Sequence, residues 1–138
     1  MLFRSPRGPT ILVVDDEPAV RLLVERVLVE AGFQVLTAMG GAEALELLER
    51  GGAVDLLLAD LRMPIMSGTQ LARRVEELRP DVRVVIMAAY PAEDSLAWQV
   101  IVKPFPPDVL ETEIRRALDA PSARASSGEF PAGSEGEP

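Results

Sequence analysis

Apolar residues follow two patterns along this chain: short, nearly unbroken runs, and longer stretches in which they recur three and four positions apart. Unbroken apolar runs rich in valine, isoleucine and leucine are typical of strands that are covered on both faces in a parallel sheet. The runs predict strands over Thr10–Val14, Phe33–Thr37, Val54–Ala59, Val82–Ala88 and Trp98–Val102.

The stretches with helical spacing lie between and after these runs and predict amphipathic helices. Pro18 suits the first turn of the first helix, Gly32 is its expected end, and Ser67 is the expected N-cap of the third. The predicted helices cover residues 18–31, 42–50, 68–79 and 107–118. Between the last two strands, Pro91–Leu96 is too short and too polar for a firm helix prediction, so the fourth helix of the alternation is expected to be short or absent.

This alternation of strands and helices predicts an α/β fold, a doubly wound five-stranded parallel sheet with right-handed crossovers. The pattern itself leaves the strand order open. Residues 9–120 are expected to form one domain after an N-terminal extension, residues 1–8. From Pro121 onward the chain is mostly Ser, Ala, Gly, Pro and Glu, a composition that predicts a disordered tail or linker over residues 121–138.

The composition excludes several kinds of partner and of catalytic or metal site. The net charge is −8, which disfavours direct binding to nucleic acid or to an anionic membrane and favours a protein partner. The chain has no cysteine and no histidine, so a thiolate nucleophile, an imidazole base and a Cys/His zinc site are excluded. Without a long apolar segment or a signal-peptide pattern, it is expected in the cytoplasm.

Charged residues follow three of the predicted strands. The first strand leads into Asp15 and Asp16, the third leads into Asp60, and the fifth leads into Lys103, the only lysine. Ligands of open α/β sheets bind beyond the carboxyl ends of the strands, so these groups are expected to meet if the strands are neighbours. Clustered carboxylates need a cation, and Mg²⁺ suits an open acidic pocket that also receives a phosphate.

Each of these residues also has a plain structural interpretation. An Asp-Asp pair after a strand is commonly a polar loop or a helix cap, and a lone lysine is commonly a solvated surface residue. Their combination at one edge of the sheet favours a site over these interpretations.

Three stretches carry a resemblance to a known family. They are residues 11–17 (ILVVDDE), 60–68 (DLRMPIMSG) and 102–105 (VKPF). In this order and register they resemble the signature stretches of the receiver domain of bacterial two-component response regulators, over about residues 9–120.

The resemblance implies a flavodoxin-like sheet and a role for each matching residue. Asp60 would accept a phosphoryl group from a histidine kinase or phosphotransfer protein, and Lys103 would contact that group. Asp16 and Asp60 would bind Mg²⁺ directly, Asp15 would lie nearby or act through water, and the backbone carbonyl of Arg62 would complete the protein ligands. A cis peptide would precede Pro104. A downstream protein partner is expected, and a homodimer is compatible with the sequence.

Three features depart from the family pattern. Ala88 stands where the fourth strand usually ends in Thr or Ser, and Val100 stands where an aromatic residue usually completes the switch. Fifteen positions separate Ala88 from Lys103, several fewer than a complete fourth helix needs.

These departures keep two alternatives open. One is a pseudo-receiver that acts as a phosphorylation-independent interaction module. The other is an enzyme with an aspartyl nucleophile, such as a dehalogenase-like phosphatase. The motif of that family requires a second aspartate at the position where this chain has Arg62. Turnover of a substrate is not expected.

Overall fold

The computed structural model describes residues 8–120. The predicted tail, and the predicted N-terminal extension apart from Gly8, lie outside the described residues. Within this range the strands form one parallel sheet in the order β2-β1-β3-β4-β5, which confirms the predicted doubly wound α/β fold. The strands are Thr10–Val14 (β1), Gln34–Ala38 (β2), Leu56–Asp60 (β3), Arg83–Ala88 (β4) and Gln99–Val102 (β5).

Four α-helices pack on this sheet in the described range: Pro18–Glu30 (α1), Gly41–Glu49 (α2), Gly68–Leu78 (α3) and Pro107–Asp119 (α4). A single 3-10 turn, Glu93–Ala97, connects β4 to β5. The helix expected at this position in a strict alternation is therefore reduced to one short turn, as the short connection predicts. None of the helices in residues 8–120 has the length and apolar character needed to span a membrane.

Some element ends differ from the predicted ones for local physical reasons. β3 begins at Leu56 rather than Val54, because the Asp55 carboxylate accepts a hydrogen bond from the backbone N–H of Thr10 at 2.9 Å. α3 ends at Leu78, one residue before the predicted Arg79, because a residue that precedes a proline is disfavoured in the helical conformation.

The core has two layers, one on each face of the sheet. On one face, alternate strand residues such as Leu57 and Ile86 pack against α2 and α3. On the other, residues such as Leu58 and Met87 pack against α1 and α4. The close packing of these two apolar layers fixes the position of the central strands up to their carboxyl ends.

Candidate functional site

The carboxyl ends of β1 and β3 bring three carboxylates together. Asp15 and Asp16 directly follow β1, and Asp60 is the last residue of β3. Because β1 and β3 are hydrogen-bonded neighbours, an oxygen atom from each of these carboxylates lies within 4.8 Å of the other two. The sequence prediction that these three aspartates converge is confirmed.

Asp15 is the innermost member and is fully buried. One of its carboxylate oxygens accepts the backbone N–H of Glu17 at 2.9 Å, a turn that aspartate commonly makes two residues ahead of itself. The Arg21 guanidinium donates to the Asp15 carbonyl oxygen at 2.7 Å. The sequence reasoning missed Arg21, although its place on the first turn of α1 puts it within reach of the end of β1.

Lys103 reaches the cluster from the end of β5. Its Nζ donates to Oδ1 of Asp60 at 2.7 Å and lies 3.4 Å from Oδ2 of Asp15. Its side chain is only 22% exposed, so it is not the solvated surface lysine of the plain interpretation. The peptide bond between Lys103 and Pro104 is cis, as the resemblance implies.

Burial is the largest influence on the Asp60 carboxyl group and raises its pKa. The charges of Asp15 and Asp16 also raise this pKa, while the hydrogen bond and the charge of Lys103 oppose the increase. Burial acts to lower the pKa of Lys103, but the Asp60 hydrogen bond and the charge of Asp15 overcome it and raise that pKa. Lys103 is thus a fixed positive charge, whereas the carboxylates still repel one another.

The cluster opens into a cleft that solvent reaches. Asp16 and Arg62 are exposed, while Asp60 is 9% exposed at the floor. The lining residues are Asp16, Glu17, Asp60, Leu61, Arg62, Ala88, Ala89, Tyr90 and Lys103. A small anion entering the cleft would therefore meet Lys103 and the Asp60 carboxylate together.

The donor set fits a hard divalent cation. Three carboxylates offer oxygen ligands within 4.8 Å of one another, and Asp16 lies on the open side, where an ion would keep some of its water. Mg²⁺ is bound in this way, through a few carboxylates and several waters. Such an ion would also relieve the repulsion that raises the pKa of Asp60.

Two backbone hydrogen bonds fix the loop that follows Asp60. The Leu61 N–H donates to the Met87 carbonyl at 2.8 Å, and the Gly68 N–H donates to the Leu61 carbonyl at 2.8 Å. At Gly68, a Cβ atom would collide with the carbonyl group of Asp60, so only glycine fits. Between them Ile65, which is fully exposed, has a φ of 72°, a strained value for a β-branched residue that the sequence did not indicate.

Ala88 occupies the end of β4 beside the cluster. It is 2% exposed, its carbonyl accepts the Lys103 N–H at 2.9 Å, and it is one of the residues that line the cleft. A methyl group offers no hydrogen bond to a bound phosphoryl oxygen. Ala88 itself therefore brings no hydroxyl to this point of the cleft.

Comparison with known proteins gives the same family as the three motifs. The response regulator receiver domain matches residues 11–115. The sensor kinase CckA of Brucella abortus is 36% identical over 119 residues, which is 80% of this chain and 12% of that protein. The DNA-binding transcriptional regulator NtrC of Escherichia coli K12 is 35% identical over 115 residues, 78% of this chain and 24% of that protein. The chain thus spans only a small part of these relatives.

Two solved structures show how far the likeness extends. The response regulator TrrA of Thermotoga maritima, solved in complex with Mg²⁺ and BeF, has a TM-score of 0.72 and 33% identity, covering 79% of this chain and 98% of that one. The receiver domain of the hybrid histidine kinase CckA has a TM-score of 0.71 and 32% identity, covering 80% and 99%. The chain belongs to the response regulator receiver domain family, the phosphoacceptor module of two-component signalling.

Proposed function

We propose that Asp60 accepts the phosphoryl group, from the phosphohistidine of a histidine kinase or of a phosphotransfer protein. The observation that carries this proposal is the Lys103 ammonium group, 2.7 Å from Oδ1 of Asp60 at the floor of an acidic, solvent-accessible cleft. Asp15, Asp16, Asp60 and the backbone carbonyl of Arg62 are the proposed protein ligands of Mg²⁺. When bound, Mg²⁺ supplies positive charge to the carboxylates and to the phosphoryl oxygens.

The proposed transfer is an in-line displacement at phosphorus. An oxygen of Asp60 forms the new P–O bond while the P–N bond to the donor imidazole breaks, and the electron pair of that bond leaves with the imidazole. Such a step needs positioning and charge neutralisation more than acid or base catalysis. Lys103 neutralises charge on the phosphoryl oxygens, so the absence of histidine and cysteine does not prevent it.

The same proposal assigns the chain to signalling rather than to turnover of a substrate. The receiver family is a signalling module, and Arg62 stands where a dehalogenase-like phosphatase wants its second aspartate. The intact carboxylate cluster with its lysine supports phosphorylation over the phosphorylation-independent module. A cytoplasmic location belongs to the same proposal, because kinases that use ATP phosphorylate their partners in the cytoplasm. A downstream protein partner is also part of the proposal.

The first helix is the proposed docking surface for the phosphodonor. α1 begins at Pro18, directly after the aspartate pair, and exposes Leu22 and Leu23 at 59% and 61%. The two neighbouring leucines place apolar area on the solvent side of α1, close to the site, where a docked phosphodonor would cover it. A double Leu22→Ser, Leu23→Ser variant should slow phosphoryl transfer from a histidine kinase about tenfold and leave the reaction with acetyl phosphate unchanged. Equal slowing of both reactions would contradict docking on α1.

A direct test of the acceptor uses acetyl phosphate and Mg²⁺. The chain should gain the mass of one phosphoryl group in a form that acid or hydroxylamine removes, and Asp60→Asn should abolish the gain. Asp108→Asn is the matched control, since Asp108 is an exposed aspartate on α4 and should leave the gain unchanged. A gain that survives Asp60→Asn would place the acceptor elsewhere, and no gain from acetyl phosphate or from kinase would overturn the proposal.

A further inference from the structure

The loop that follows Asp60 places one large apolar side chain in solvent at a cost to its backbone. Ile65 is fully exposed and has a φ of 72°, in a turn where the Met66 N–H donates to the Pro64 carbonyl at 2.7 Å. A three-residue turn with this positive φ is rare and strained, above all for a β-branched residue. Strain of this kind persists mainly at functional sites, so the exposed isoleucine is a candidate for recognition by another molecule.

Ile65 lies on the rim of a concavity on the solvent side of α3. The concavity has a volume of about 360 Å³, and its lining residues are Ile65, Met66, Gln70, Arg73 and Arg74. Met66 is half-buried and is fixed by α2, because a Cβ atom at Gly41 would collide with its side chain. Gln70 is also fixed, since its Oε1 accepts the Ser67 N–H at 2.9 Å. The walls of the concavity are therefore held by the fold itself.

The charged residues that line this concavity are both cations, although the chain has a net charge of −8. Arg73 and Arg74 are exposed, and within residues 8–120 no carboxylate lies within 4.0 Å of either guanidinium group. The Arg73 guanidinium carbon lies 5.5 Å from the centroid of the Trp98 ring, a contact that orients it. Both guanidinium groups can thus bind a carboxylate from outside the described chain.

We propose that this concavity binds an acidic segment of a protein partner, in which aspartate or glutamate flanks an apolar side chain of about the size of leucine. The apolar side chain enters between Ile65 and Met66, and the carboxylates accept hydrogen bonds from the two arginines. Arginine suits this role because its planar group can bond both oxygens of a carboxylate. It is also enriched among the residues that dominate the binding energy of protein interfaces.

Two other anionic occupants fit this concavity less well. A nucleic acid needs cations along its phosphates and an aromatic surface for its bases, whereas two arginines and no aromatic residue line the concavity in the described structure. The chain's own residues 121–138 leave α4 where the Arg83 guanidinium donates to the Ala120 carbonyl at 3.0 Å, at the amino end of β4. Ile65 lies beyond the carboxyl end of β3, at the opposite edge of the sheet. A separate acidic segment is the occupant that these features favour.

The test uses three synthetic peptides of about 12 residues, composed of leucine and glutamate, leucine and lysine, or serine and glutamate. With the full chain, the leucine–glutamate peptide should bind about tenfold more tightly than either of the others, because it alone offers both carboxylates and apolar side chains. The net charge of −8 attracts the lysine peptide, so a preference for glutamate must come from the local cations. Binding should shift the amide resonances of Ile65, Met66 and Arg74.

Two substitutions separate the charge of the concavity from its apolar rim. Arg74→Glu should weaken binding of the leucine–glutamate peptide about tenfold, since an attraction becomes a repulsion. Arg26→Glu is the matched control, because Arg26 is also an exposed arginine on a helix and its replacement changes the net charge equally; it should change binding less than about threefold. Ile65→Gly should weaken binding about tenfold without lowering the urea midpoint of unfolding, because glycine adopts a positive φ without strain.

Four results would overturn the proposal. These are no binding of the leucine–glutamate peptide, equally tight binding of a control peptide, equal weakening by the two arginine substitutions, or no weakening by Ile65→Gly.

The other occupants would each give a different result, and each of these results would also overturn the proposal. A thymidine oligonucleotide that binds more tightly than the leucine–glutamate peptide would assign the concavity to nucleic acid. A Phe130→Ala variant that binds the peptide tenfold more tightly would assign it to the chain's own C-terminal segment. A dimer in sedimentation that Arg74→Glu dissociates would assign it to a second copy of the chain.

Discussion

The carboxyl end of β3 and the edge strand β5 are separated only by β4, yet they differ in how closely their residues are packed. Around Asp60 the carboxylates converge, Lys103 is hydrogen-bonded to it at 2.7 Å, and the following chain packs against it through Gly68. At β5 the strand has four residues, a short turn precedes it, and Val102 is half exposed. Chemistry at phosphorus demands a fixed site, whereas an edge strand that takes no part in it can vary between proteins with the same fold.

The largest expected effect comes from the closest packing beside Asp60. Gly68→Ala should destabilise the protein by about 3 kcal/mol, because the new Cβ would collide with the Asp60 carbonyl group and backbone atoms cannot move aside cheaply. It should also lower phosphoryl uptake, since the displaced atom belongs to the acceptor residue. Urea unfolding and the acetyl phosphate reaction measure the two effects.

Gly40→Ala is the matched control for this prediction. Gly40 has a φ of −173°, which any residue adopts, and a Cβ there would meet no atom within 4 Å. The substitution should cost less than about 1 kcal/mol, the size of a helix N-cap effect. Equal losses for the two variants would show that the packing at Gly68 is not special to the site.

The next effect concerns the ion pair. Lys103→Met keeps the length of the side chain but leaves Asp15, which is fully buried, and Asp60 without their cation. We expect a loss of about 2–3 kcal/mol without Mg²⁺, since removing one partner of a buried pair leaves charge uncompensated. Saturating Mg²⁺ should recover part of it. Arg116→Met removes a pair whose cation is 69% exposed and should change stability little; a similar loss there would contradict the argument.

A smaller effect of opposite sign is expected at Asp60 itself. Burial and the neighbouring carboxylates raise its pKa in the folded state above the value of 3.8, so folding is favoured when it is protonated and stability falls as pH rises through the raised pKa. Asp60→Asn should therefore be more stable than the natural chain at pH 7, by on the order of 1 kcal/mol after solvent screening. The difference should shrink toward pH 4 and with added Mg²⁺. Urea unfolding that finds Asp60→Asn less stable at pH 7 would refute it.

The sequence predicts the parts of this comparison that depend on local pattern. Unbroken apolar runs identify the strands, and the rule for strand ends brings Asp15, Asp60 and Lys103 to one edge. Contacts between distant segments are not readable in this way. β5 begins at Gln99 rather than the predicted Trp98, and the indole of Trp98 bonds Glu76 on α3, a partner 22 positions away that no periodicity indicates.

Two further features of the site also depend on tertiary structure. Asp15 is fully buried because β1 has a strand on each side, whereas the next residue, Asp16, is exposed. Since both residues are aspartates, the sequence alone does not tell which of them is buried. The positive φ of Ile65 belongs to a three-residue turn in which the Met66 N–H donates to the Pro64 carbonyl at 2.7 Å, a conformation that a β-branched side chain disfavours. Local propensity gives the elements, and the fixed chain around Asp60 overrides it.

The smallest effect tests whether the two regions communicate. Trp98 is the only tryptophan, and its indole donates to Glu76 of α3, so its fluorescence reports on the contact between α3 and the start of β5. With beryllofluoride and Mg²⁺ the natural chain should show little change in emission, because Ala88 offers no hydroxyl to a group bound at Asp60. Ala88→Thr places a hydroxyl in the cleft, beside the register partner Val102, at a packing cost of about 1 kcal/mol. The emission of the Ala88→Thr variant should then change on beryllofluoride binding. Ala88→Val has a side chain of the same shape as threonine but no hydroxyl, so this variant should behave as the natural chain. A large emission change in the natural chain would show that the site and the edge are already coupled by a route that does not pass through position 88.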